Sequence, residues 1–228
     1  MSDGFRLRVK YEICGRLAYL SHLETIRSME RVIRRAGLPF AVTEGFSPHM
    51  KIAFGPALPV GAGSAGEYLD VRLQSYVDPE QAIERMRMAA PRNLMPLECF
   101  YVDVRADAID VSYPLSVWEA EFSACEDTQV LLEGLCRAFS ELLDIGYIEV
   151  VKKKGRTHKV KQVAFEGRLV EKPQFAIEDK SVVVRFSTFQ GNEGALRPDK
   201  FINAAITLMD TPPQLTRLTR RELREVAV

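Results

Sequence analysis

The run Phe5-Arg6-Leu7-Arg8-Val9-Lys10-Tyr11-Glu12-Ile13 is apolar at every odd position and charged at every even one. A period of two places successive side chains on opposite faces, which predicts a strand with one buried face and one solvated face. Just beyond it, Ser21-His22-Leu23-Glu24 has the spacing of a capping box, in which Ser21 and Glu24 satisfy each other's free amides. Leu23, Ile26, Met29 and Ile33 then recur at helical spacing, and Gly37 with Pro39 supplies a stop. A strand followed at once by a capped amphipathic helix sets the reading of the rest.

Phe40 to Thr43 reads as a short second strand, followed by a long turn-rich excursion from Gly45 to Gly66. Leu69, Val71 and Leu73 alternate with Asp70 and Arg72 as a third strand. Asp78-Pro79 opens a second helix, with proline at its first position. Phe100, Val102 and Val104 give a fourth strand. Strand–helix–strand–strand–helix–strand is the ferredoxin-like order.

Residues 106–114 lack periodicity and mark a boundary. Beyond them come a strand at Trp118–Phe122, a helix at Asp127–Leu143, strands at Ile148–Val151 and Val182–Phe186, and a helix opened by Leu196-Arg197-Pro198-Asp199. The expected class is α+β, with two tandem ferredoxin-like (βαββαβ-type) halves. The first spans residues 1–105 and carries the site; the second spans 115–210. An Arg-rich tail, 211–228, has no legible structure.

Net charge is zero, yet the charges are segregated. Residues 4–51 hold nine basic and four acidic side chains, residues 107–149 hold ten acidic and one basic, and 152–161 hold six basic and none acidic. Local anionic contacts fit this better than a surface coated in nucleic acid. Arg27, Arg31, Arg34 and Arg35 fall on one helical face; with Lys152, Lys153, Lys154, Arg156, Lys159 and Lys161 they form the expected nucleic-acid surface. The duller alternatives are a solvated helix face, with Glu30 paired to Arg34, and an ordinary hairpin loop.

In a ferredoxin-like unit the connection from first strand to first helix shares one end with the connection between the second and third strands. That expectation gathers Ser21, His22, His49, Lys51 and Glu67 around the free amides of the helix N-terminus, a pocket suited to phosphate. If the protein were an enzyme, His22 or His49 would act as general base and Lys51 would stabilise charge. A triad of Ser21 or Ser47, His22 or His49, and Asp70 can be written down, but nothing fixes a nucleophile elbow. A metal held by His22, His49 and Glu67 is a lesser alternative.

No phosphate loop, dinucleotide fingerprint, H-E-x-x-H or cysteine cluster occurs, so no cofactor is expected. The four cysteines are dispersed and suit a reducing cytoplasm, and no run is long and apolar enough for a membrane span.

Leu17-Ala18-Tyr19-Leu20-Ser21-His22-Leu23-Glu24, Arg34-Arg35-Ala36-Gly37-Leu38-Pro39, Gly45-Phe46-Ser47-Pro48-His49-Met50-Lys51, Leu58-Pro59-Val60-Gly61 and Glu67-Tyr68 together resemble a bacterial radical-SAM-linked family of unknown function. Leu196-Arg197-Pro198-Asp199 and Leu218-Thr219-Arg220 extend the resemblance, while Ser47 and Met50 replace the usual Asn and second Pro. The resemblance implies partnership with a radical-SAM protein, any radical chemistry belonging to that partner. The expected function is a non-catalytic RNA-binding or substrate-presenting accessory. The alternatives are a metal-independent RNA-processing or RNA-modifying enzyme and a protein–protein adaptor.

Overall fold

The computed structural model describes residues 4–123, 127–154, 157–191 and 194–226, with side chains undescribed across 152–158. The chain is mixed α+β, and its contacts divide it into two units at Tyr113/Pro114.

In the first unit the elements are β1 (Phe5–Ile13), a 3-10 turn (Gly15–Tyr19), α1 (His22–Arg35), β2 (Ile52–Phe54), β3 (Ala62–Leu73), α2 (Pro79–Ala89), β4 (Leu94–Val102) and α3 (Ile109–Ser112). The strands lie in the order β2-β3-β1-β4, each antiparallel to its neighbour. The odd residues of β1, Leu7 to Ile13, join Leu69, Val71 and Leu73 of β3 in a core with Met29, Val32 and Ile33 of α1 and Met86 of α2.

The capping box is formed: Ser21 N donates to Glu24 Oε2 at 2.8 Å and Glu24 N donates back to Ser21 Oγ at 3.4 Å. Gly37, at φ +63°, carries the chain off the helix in the left-handed region that its missing Cβ permits. Leu23, expected to face the core, is 65% exposed, and Val32 takes that role.

Two expectations fail here for physical reasons. Arg6 and Arg8, expected in solvent, are only 7% and 3% exposed. The segment after β4 covers their face of the sheet: Arg6 donates to the carbonyl of Asp107 at 2.9 Å, and Arg72 donates to that of Val104 at 2.7 Å. Asp70 bridges the two arginines, at 2.7 Å from Arg6 and 2.8 Å from Arg8. The Arg8 guanidinium also lies 5.5 Å from the centre of the Tyr113 ring, which stacks on Tyr68 at 4.6 Å. Second, residues 40–43 are not β2. Phe40 and Val42 form isolated bridges to Leu73 and Met50, and the paired strand starts twelve residues later, at Ile52.

In the second unit come β5 (Leu115–Ser123), α4 (Thr128–Ile145), β6 (Tyr147–Lys154), β7 (Thr157–Ala164), β8 (Leu169–Glu178), β9 (Ser181–Gly191), β10 (Gly194–Ala195), α5 (Pro198–Ile206) and β11 (Gln214–Arg224). Its sheet runs β8-β9-β5-β11, antiparallel throughout, with β10 on the end of β9; β6 and β7 form a separate hairpin. With that hairpin set aside, β5, α4, β8, β9, α5 and β11 repeat the element order and strand order of the first unit.

The 148–151 strand expected in the second half belongs to the hairpin, and β8 takes its place. Residues 214–224, for which the sequence offers no reading, are β11 and pair along the whole of β5. Phe201 of α5 centres the core, its ring 5.4 Å from Phe139, 5.3 Å from Phe165 and 5.2 Å from Phe186. Among the described residues, no helix is long and apolar enough to cross a membrane.

Candidate nucleic-acid interface

The four arginines of α1 stand as their spacing requires. Arg27, Arg31, Arg34 and Arg35 are all exposed. Arg31 donates to Ser28 Oγ at 3.1 Å, and the Arg34 guanidinium lies over the Phe40 ring at 4.9 Å. Among the described residues none of the four is in an ion pair, so the Glu30–Arg34 pairing weighed from sequence is not made. Arg34 and Arg35 complement the negative end of the helix dipole; Arg27 and Arg31 lie outside that last turn.

The chain leaving α1 passes beneath Arg34 at Phe40 and then runs along β3. Ala41 N donates to Arg72 O at 2.8 Å, Lys51 N to Ala41 O at 2.8 Å and Arg72 N to Lys51 O at 2.9 Å, which pins the base of the following loop to β3. One step on, Val42 bridges Met50, Thr43 N donates to His49 O at 2.8 Å, and His49 N donates to Thr43 Oγ1 at 3.0 Å. Met50 is buried, while every residue from Glu44 to His49 is exposed, as is Lys51. Gly45, at φ +125°, turns the tip, a conformation only glycine adopts without strain. Phe46 follows it and is fully solvent-exposed.

The expected anion pocket is not assembled. His22 lies at the other end of β2, with its ring 6.1 Å from that of Phe54. It lines a recess with Thr25, Gly55 and the buried Glu67, and the cavity's volume is about 20 Å³, room for one water molecule. Lys51 bonds to Arg72, whereas Glu67 lies five residues earlier in β3, a separation of ~17 Å at ~3.3 Å per residue.

The cause is the misplaced strand. With β2 at 52–54, the Pro48–Lys51 turn precedes it, and the β2–β3 connection is residues 55–61 alone. Ser21, His22 and Glu67 therefore share one end of the unit, and His49 and Lys51 the other. The helix N-terminus is also occupied: Ser21 Oγ donates to Glu24 Oε2 at 2.7 Å, and these hydrogen bonds hold the Glu24 carboxyl below its ordinary range. The capping box already answers two of the amides that an anion would seek, those of Ser21 and Glu24, and sets a carboxylate beside them.

The same separation leaves the His22, His49 and Lys51 catalytic set and the His22, His49 and Glu67 metal set unassembled. No group of three metal-binding side chains gathers among the described residues. Asp70, the acid of the written triad, is committed to Arg6 and Arg8.

In the basic hairpin Lys152 pairs with Lys159 and Val150 with Lys161, and Lys159 and Lys161 are exposed. Arg156, and the side chains of Lys152, Lys153 and Lys154, lie outside the described residues. Sequence reasoning missed Phe46. Its signal was present, since a large apolar residue inside Gly-x-Ser-Pro fits neither a helical nor a strand period.

A family model described as an uncharacterized protein conserved in bacteria, DUF2344, matches residues 6–198. The chain belongs to that family. The DUF2344 match carries the sequence resemblance as far as a bacterial family of unknown function; it spans α1, the Thr43–His49 loop and the basic hairpin, and stops before β11. Comparison with curated proteins returns no match. Among solved structures, a chain from the crystal structure of a Cbf5-Nop10-Gar1 complex aligns at 10% identity and a TM-score of 0.47. The alignment covers 97% of the DUF2344 chain and 49% of the other, so the DUF2344 chain spans about half the length of that neighbour. A likeness at this level assigns neither fold nor activity.

Proposed function

We propose that this DUF2344 protein is a non-catalytic accessory that binds structured RNA through the arginine face of α1 and the adjoining Thr43–His49 loop, and presents it to a radical-SAM enzyme. The observation that carries the RNA part is that face itself. Four exposed guanidinium groups, none in an ion pair among the described residues although Arg27 feels the Glu24 carboxylate, lead through Phe40 beneath Arg34 to Lys51 and His49 at the base of a hydrogen-bonded loop. Exposed cations outside ion pairs suit phosphate neutralisation, because no existing ion pair must first be broken. The exposed Lys159 and Lys161 of the hairpin add a second basic region. Partnership with a radical-SAM protein rests on the resemblance of the motifs between Leu17 and Tyr68. The shared strand order supports reading each unit as ferredoxin-like, with β6–β7 inserted in the second.

Salt dependence tests the RNA reading. The logarithm of affinity for a structured RNA falls linearly with the logarithm of salt, and Arg27, Arg31 and Arg34 changed together to Ala reduce the slope by about 0.9 per lost phosphate contact. A wild-type slope near zero removes RNA from the account. Purification of the tagged protein from its own host tests the partner: a radical-SAM protein co-elutes, or that assignment falls.

A further inference from the structure

Phe46 is a large apolar side chain at full exposure, yet its loop is not loosely held. Two backbone hydrogen bonds, one side-chain hydrogen bond and the Val42–Met50 bridge close the loop at its base, two more backbone bonds tie that base to Arg72, and buried Met50 anchors it. The ring is thus held out on a short pedestal. Its neighbours from Glu44 to His49 are also exposed, and none of them is a large apolar residue. A protein-docking patch is a contiguous apolar area of several hundred Å², and one ring among polar residues and backbone does not make one. An isolated aromatic face within a few nucleotides' reach of a row of cations is instead the combination that single-stranded nucleic acid uses: phosphates on the cations, a base on the ring.

The distances allow one strand to touch both. Phe40, under the Arg34 guanidinium, is six residues from Phe46, at most about 21 Å of extended chain. A short single-stranded segment spans that distance.

We propose that Phe46 is a stacking platform for an unpaired nucleobase, so that the RNA engaged by this surface carries a loop, bulge or single-stranded end beside the arginine contacts. The inference rests on the RNA reading above and narrows its ligand class. It asks for a π face and no particular base edge, so the stacked position tolerates any base.

Binding of the full chain to two fluorescently labelled RNAs separates the possibilities: a hairpin with an unpaired loop, and a blunt duplex of equal length. Phe46→Ala weakens binding to the looped RNA roughly 5- to 150-fold, the range for loss of one base–aromatic stack. It leaves duplex affinity and salt slope unchanged. Phe46→Trp retains affinity, and its exposed indole is quenched by the looped RNA, a signal distinct from that of buried Trp118. Equal loss on both RNAs, or no loss on either, overturns the platform while a steep salt slope leaves the RNA reading intact. Loss of a co-purifying protein with RNA affinity unchanged overturns it in favour of a protein contact.

Discussion

Replacing Asp70 by alanine removes the one carboxylate between two buried guanidinium groups. Asp70 accepts four hydrogen bonds, from Arg6 Nε at 2.9 Å and Nη2 at 2.7 Å and from Arg8 Nε at 2.8 Å and Nη2 at 3.0 Å. All three side chains are less than a tenth exposed, so water cannot replace what is lost without opening the sheet face. Breaking a buried ion pair from one side costs about 3–5 kcal/mol, because a charge is left desolvated and unanswered. Here two remain, side by side, with the Ala106 and Asp107 carbonyls and the Tyr113 hydroxyl, all uncharged, left to answer them among the described residues. At ~2 kcal/mol per molar urea, the midpoint of unfolding falls by on the order of 2 M.

The natural control is Glu98→Ala, which removes a carboxylate 3.3 Å from Lys10, a pair whose side chains are 56% and 32% exposed. Surface pairs contribute about 0–1 kcal/mol, so that variant unfolds close to wild type. Urea titration followed by near-ultraviolet circular dichroism reads the first unit, which holds six of the seven tyrosines, and the fluorescence of the single Trp118 reads the second. Should Asp70→Ala cost no more than Glu98→Ala, the arginines are hydrated and the claim of a buried network is wrong.

Other consequences are open to direct measurement. Phe201→Ala empties the centre of the second unit's ring cluster and lowers stability by about 3–5 kcal/mol in calorimetry or denaturant titration. Burial pushes the Cys99 thiol up to about 11, and its Sγ donates to the Pro79 carbonyl at 3.1 Å. At pH 8 an alkylating reagent therefore labels exposed Cys14 well before Cys99, as mass spectrometry of timed digests shows; equal rates contradict that environment. The Glu24 carboxyl is depressed by its hydrogen bonds to Ser21, so its contribution to α1 is complete above the ordinary glutamate range. It is lost as pH falls through the lower folded value. Glu24→Gln flattens this acid limb, measured by the Ser21 amide shift across an NMR pH titration.

Local pattern carried the fold where one physical constraint dominated. The odd residues of β1 had to be buried together, and Ser21, Glu24 and Gly37 fix the ends of α1 by hydrogen bonding and backbone freedom alone. The failures share a different origin: partners distant in sequence. Nothing in Arg6 or Arg8 announces that residues 103–113 fold back over them. The β2 strand has only Ile52, Ala53 and Phe54, too few to show a period, whereas Phe40–Thr43 imitates a strand and makes only isolated bridges.

β8 was hidden by Pro173 and by register shifts at Glu171, features of an edge strand that blur alternation. At the candidate site the arginine stripe was legible because helical spacing alone makes it. The grouping of His22 with His49 was not, since a slip of twelve residues in one short strand moves a turn from one end of a sheet to the other.

β11 also bears on how the protein is made. Its partner β5 lies at 115–123, while β11 itself begins only at 214, so some ninety residues are synthesised before that edge of β5 meets its mate. Until then a strand bearing Trp118, Ala120 and Phe122 offers unpaired amides and carbonyls to whatever chain is nearby. Closure across so long an interval is entropically slow compared with the local hairpin of β6 and β7. Ribosome-bound intermediates stopped before Gln214 are thus the species most prone to sticking, and a truncation at that point reproduces their hazard in a finished molecule.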